Sequence, residues 1–138
     1  MPRINRTFWM FALIAASACH TLTEPNALQD FQWMAVDNAA EITEGIDAAV
    51  FFGDISMLGQ LKTPTLCFKP VADFTRDGSA LTVRVTAQPT SGSTCPSTPG
   101  GFRYTALLRG LGSGSFTLHV IHAVNGTEAE YTENLEIP

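Results

Sequence analysis

The segment Leu81–Gln88 (LTVRVTAQ) alternates apolar and polar residues without a break, and it narrows the possible folds more than any other stretch. Successive side chains of an extended strand point to opposite faces. Leu81, Val83, Val85 and Ala87 therefore share one face, and Thr82, Arg84, Thr86 and Gln88 the other. Ser115–Ala123 (SFTLHVIHA) repeats the pattern, with Phe116, Leu118 and Val120 inward. Leu66–Phe74, Phe102–Arg109 and Thr132–Ile137 are further strand candidates; Pro70 marks the first as an edge strand or a bulged one. Arg76-Asp77-Gly78-Ser79 and Asn125-Gly126 are hairpin signals, because these residue types tolerate positive φ. Pro89–Gly101 (PTSGSTCPSTPGG) is a loop by composition, and Gly110–Gly114 is a turn.

Upstream the pattern is less clear. Ala27–Glu44 has enough Ala to allow some helix, whereas Ile46–Ile55 (IDAAVFFGDI) is expected to form one buried strand. Phe51 and Phe52 would then face opposite sides, leaving one of them exposed or covered by the 27–44 segment. Short strands with turns every ten residues or so predict an antiparallel β-sandwich of about six to eight strands over residues 27–138.

One segment sharpens that expectation. Tyr104–Val120 contains Gly110-Leu111-x-x-Gly114-x-Phe116-x-Leu118-x-Val120. It is similar to a hairpin of immunoglobulin-like and transthyretin-like bacterial surface domains. The resemblance implies that Leu111 plugs the end of the sandwich and that Phe116, Leu118 and Val120 line the core. It implies a fold and no activity, since such sandwiches host unrelated functions.

The first 18 residues have the parts of an export signal. Arg3 and Arg6 form a positive head, and Thr7–Ala15 an apolar run too short to span a bilayer. Ala16-Ser17-Ala18-Cys19 follows, and resembles the lipobox of bacterial lipoproteins, with Ala16 where Leu is usual. The resemblance implies diacylglycerol on the Cys19 thiol, cleavage just before it, and a membrane as partner. Ala16-x-Ala18 equally satisfies the rule for ordinary secretory cleavage, so plain secretion stands as the alternative. His20 follows the cysteine where inner-membrane lipoproteins carry Asp, which implies an outer-membrane destination. Residues 19–26 would be a short tether.

The chain has three cysteines, an odd number for an exported protein. Lipidation of Cys19 leaves Cys67 and Cys95 to form a disulfide in an oxidising compartment. Cleavage before Cys19 would leave 120 residues, enough for one domain, and would shift the formal charge from −5 to −7 through loss of Arg3 and Arg6. That balance argues against nucleic acid as partner. Cys19–Leu61 holds seven carboxylates and no Lys or Arg, which fits a solvated acidic face.

No catalytic set stands out. His119 and His122 lie three apart and would point to opposite faces of a strand, so they could not chelate one metal. Asp73 and Asp77 are too sparse for a calcium loop, and Gly110-x-Gly112-x-Gly114 precedes a strand where a phosphate loop needs a helix. No cofactor is expected. Together these features predict a non-catalytic envelope lipoprotein acting as an interaction or structural module, with Pro89–Gly101 as the contact loop. A carbohydrate-binding or adhesin-type module is the alternative, drawing on Phe31, Trp33, Phe51 and Phe52; a secreted hydrolase ranks third.

Overall fold

The computed structural model describes residues 27–91 and 94–138; Cys19, the export segment and the whole 19–26 tether lie outside them. Eight strands follow in chain order: β1 (Leu28–Val36), β2 (Gly45–Phe51), β3 (Asp54–Thr63), β4 (Phe68–Asp77), β5 (Ala80–Pro89), β6 (Gly100–Leu108), β7 (Gly114–Val124) and β8 (Thr127–Ile137). A 3-10 turn, Ala39–Glu41, separates β1 from β2, its start capped by the Asn38 side chain accepting from the Ala40 amide at 3.0 Å.

The strands form two four-stranded sheets, ordered β1-β6-β3-β2 and β4-β5-β7-β8. The alternating segments behave as their pattern requires. Leu81, Val83 and Val85 of β5 and Leu118 and Val120 of β7 are fully buried. They meet Ile55, Met57, Leu61, Phe102 and Tyr104 from the other sheet in one core. Pro70 sits on β4, an edge strand, where its missing N–H removes no ladder bond to a further neighbour.

Three expectations are corrected. The fold is mixed where purely antiparallel pairing was expected, since β5 and β7 run parallel. The chain leaves the second sheet after β5, returns through the first as β6, and re-enters beside β5 in its original direction. The Gly110 motif is likewise an arch between the sheets and no hairpin, since β6 and β7 belong to different sheets. Its apolar residues still do what the motif implies: Leu111 is buried at the crossing, with Phe116, Leu118 and Val120 in the core. The third correction concerns Ile46–Ile55, which is a tight hairpin between β2 and β3. Half of Ala27–Glu44 is the strand β1, because pairing of β1 with β6 supplies the backbone partners that an isolated helix would have found internally, and its helical part is the single 3-10 turn.

The register fixes two ends. Leu28, Leu108, Ile55 and Val50 form one row across the first sheet. Just beyond that row lie the start of the described chain and the β2–β3 turn. Thr63 pairs with Gly100 at the other end, near the Pro89–Gly101 loop. The β7–β8 turn belongs to that second end too, because Val124 pairs with Ala87 shortly before β5 runs into the loop.

Candidate functional surfaces

At the loop end, Cys67 and Cys95 are joined, with Cα atoms 5.8 Å apart. The pairing agrees with the sequence expectation, and Cys67 lies one residue ahead of β4. Thr65 supports the junction: its hydroxyl accepts from the Cys67 amide at 3.3 Å and lies 3.3 Å from the Cys95 sulfur. The loop is also held at its stems. The Thr90 amide donates to the Cys67 carbonyl at 2.9 Å, and the Ala39 amide to the Pro99 carbonyl at 3.3 Å. Residues 94–99 nevertheless remain exposed. Such a segment presents side chains to solvent while its backbone course is restricted.

The outer face of the first sheet carries a second surface. Met34 pairs with Arg103 and Arg103 with Gln60; in the next row Gln32, Thr105 and Leu58 align. Met34 and Leu58 are 58% and 54% exposed, an apolar pair within a polar frame. An open depression of about 410 Å³ runs over these residues. Arg103 is fixed above it, donating from Nε to Gln60 Oε1 at 3.2 Å and from Nη2 to the Glu41 carbonyl at 2.8 Å. Trp33, in register with the inward Tyr104, belongs to the other face; it is half-exposed because β1 is an edge strand, and it packs edge-on against Phe102, centroids 5.3 Å apart.

The outer face of the second sheet is polar. Arg84 pairs with Glu128, which raises the guanidinium pKa and lowers the carboxyl's, chiefly through the hydrogen bond between them. His119 Nδ1 meets Glu130 Oε1 at 2.7 Å, with Thr132 nearby. His122, three residues on, points the other way, as strand alternation requires. It is buried, its Nε2 lies 2.8 Å from the Tyr104 hydroxyl, and its ring lies 5.1 Å from that of Tyr131. Burial lowers its pKa to about 4 despite the opposing field of Glu44, so the imidazole is neutral at pH 7. Burial, aided by the Tyr131 charge, raises Tyr104 well above the usual phenol range. With Tyr104 able to donate to Nε2, Nδ1 would carry the proton; that atom is buried with no hydrogen-bond partner.

Tyr104 reaches His122 across the core because its partner on β3 is Gly59. A Cβ built there would come 2.1 Å from the ring. The pair thus links the two sheets from inside the core. The local pattern makes both histidines ordinary strand residues; the difference in role comes from a glycine on another strand. Among the described residues, no group of three or more His, Cys, Asp and Glu could hold a metal ion.

The aromatic residues considered as a sugar platform are separated. Phe31 packs on Tyr104 at 5.5 Å, Trp33 on Phe102, and Phe51 on Phe52 at 4.6 Å with planes at 78°. Phe51 and Phe52 are 65% and 93% exposed at the β2–β3 turn, so both face solvent where one was expected to be buried. No protein-family model matches the chain, and no curated protein or solved structure matches it significantly.

Proposed function

We propose that the chain is a non-catalytic lipoprotein of the cell envelope. Cys19 holds it to a membrane, and an immunoglobulin-like sandwich serves as its interaction or structural module. The observation that carries this reading is the division of labour between the two ends. The described chain begins at one end, and the disulfide-held Pro89–Gly101 loop stands at the other. A module tethered at its first strand would present that loop away from the bilayer. The acidic composition suits a surface kept soluble and apart from anionic lipid. The immunoglobulin-like assignment rests on the buried Leu111 crossing and on the inward Phe116, Leu118 and Val120.

Mass spectrometry of the mature N-terminus tests the anchor, with acyl mass on Cys19 expected; an unmodified terminus would leave plain secretion. A photo-crosslinker at Thr98 tests the display. It should capture an envelope partner in intact cells, whereas the same group at Thr75, on the polar sheet at the opposite end, should capture none.

A glycan-binding reading draws on the half-exposed Trp33, whose ring lies against Phe102 at the β1 edge. Binding on a glycan array that disappears in Trp33→Ala would favour it over the protein-contact reading.

A further inference from the structure

Each of the three hairpins among the described residues turns in two residues, and one makes an unusual choice. The loop Phe52-Gly53 closes β2 onto β3, with Phe51 paired to Asp54. Phe52 has φ 50° and Gly53 φ 83°. The left-handed region suits Gly and Asn and is a genuine outlier for a bulky residue. Strain of this kind is a pointer to function when the fold draws no benefit from the residue. Phe52 gains little internally: it is 93% exposed, and its ring contact is with Phe51, itself 65% exposed.

The location narrows what the pair could meet. The row Leu28–Leu108–Ile55–Val50 puts the start of β1 and the Phe tip at one end. Arg109 ties this end together. Its amide donates to the Ala27 carbonyl at 2.9 Å, and its guanidinium reaches Asp30 of β1 and Asp54 of β3 at 3.5 Å each. From Cys19 to Ala27 is eight residues, which span at most about 29 Å when fully extended. A ten-residue strand such as β3 is about 33 Å long. Standing on its loop end, the sandwich would hold Ala27 beyond the reach of a membrane-bound Cys19. With β1's start toward the bilayer, the tether suffices and the Phe tip faces lipid.

We propose that Phe51 and Phe52 form an apolar wedge that inserts into the interfacial layer of the bilayer to which Cys19 holds the chain. The proposal rests on the anchored reading above. The wedge complements the anchor physically: acyl chains fix position, and two aromatic rings fix orientation, so the loop end points outward. Charges at this end are of both signs, Asp30 and Asp54 against Arg109, so the contact is apolar and does not depend on anionic lipid.

The test uses the mature acylated chain in phosphatidylcholine vesicles, some containing brominated acyl chains. In a Trp33→Phe background, tryptophan is introduced by Phe52→Trp or, at the opposite turn, by Asn125→Trp. Emission from Phe52→Trp should shift to the blue and fall by about half or more on bromolipid, as for an interfacial aromatic. Emission from Asn125→Trp should change in neither respect. Acyl mass on Cys19 without quenching at position 52 would overturn the wedge and leave the anchor. Quenching at 52 in chain that lacks acyl mass would retain the wedge and remove the anchor. If both are absent, both readings fall. A blue shift in buffer that grows with protein concentration would assign the tip to a second copy of the chain and overturn the proposal. Phe52→Asn separates function from folding: the melting temperature should hold or rise, while vesicles should no longer slow deuterium exchange at residues 50–55.

Discussion

Two hairpins at opposite ends share a backbone and differ in chemistry. Phe52-Gly53 closes β2–β3 with φ 50° and 83°; Asn125-Gly126 closes β7–β8 with φ 49° and 78°. Asn-Gly is the pair such a turn favours. Phenylalanine in the same conformation carries strain without a compensating contact in the core. The surroundings differ as well. Near the Asn125 turn, the fold relies on a disulfide and a buried Tyr104–His122 bond; at the Phe52 turn, it relies on exposed ion pairs around Arg109. One end is built to stay closed, and the other gives up stability for an exposed apolar tip.

The contrast is open to experiment, most forcefully at the loop end. Replacing Cys67 and Cys95 with Ala should lower unfolding free energy by about 3.6 kcal/mol, the chain-entropy value for a loop of about 29 residues. Deuterium exchange should then rise at 63–68 and 90–99 while staying unchanged at 50–55. Equal loosening of both ends would mean that the disulfide does not act locally.

Acid should strike the same end. His122 is held at a pKa of about 4 by burial, below the ordinary histidine value of 6.5. The unfolded chain therefore binds the proton first, and stability present above pH 6.5 declines as pH falls toward 4. The loss approaches about 3 kcal/mol over that window. Urea titrations at several pH values should show this loss in the parent. In Tyr104→Phe/His122→Phe, which removes both polar partners together, the dependence should flatten by a comparable amount. An unchanged slope would show that carboxylates alone set the acid limit.

Exchanging the turn residues tests the comparison directly. Phe52→Asn should stabilise by about 1 kcal/mol and Asn125→Phe should destabilise by a similar amount, from relief or creation of left-handed strain. Denaturant midpoints would measure both. Loss of stability in Phe52→Asn would mean that the ring supports the fold after all. The smallest effect belongs to Arg84→Ala, which breaks an exposed pair with Glu128. Solvent screens that pair, so the midpoint should move less than in either turn variant.

Much of this architecture is legible in the residues themselves. Leu81–Gln88 alternates without a break and Ser115–Val120 does the same, and each is a strand with the expected face buried, because period two leaves one register that hides the apolar set. Asn125-Gly126 announces its turn by residue type. Phe52-Gly53 does not, since an aromatic pair within an apolar run looks like the middle of a buried strand. The isolated Gly53 is the available signal, and a lone glycine in such a run also fits a strand with a bulge. Trp33 can be named from sequence as a candidate, but its half-exposed place against Phe102 at a sheet edge requires the β1–β6 pairing.

Local sequence settles the strand faces, the edge character of Pro70, and the run of small residues ahead of Cys19, because these follow from periodicity, backbone chemistry and side-chain type. Which strands are neighbours, and which ends coincide, emerges only when the two sheets pack. Parallel pairing of β5 with β7, the space Gly59 leaves for Tyr104 to reach His122, and the common end shared by Leu28 and Phe52 all join residues far apart in the chain. Contacts of that kind depend on how the sheets close over one core, and no local pattern encodes them.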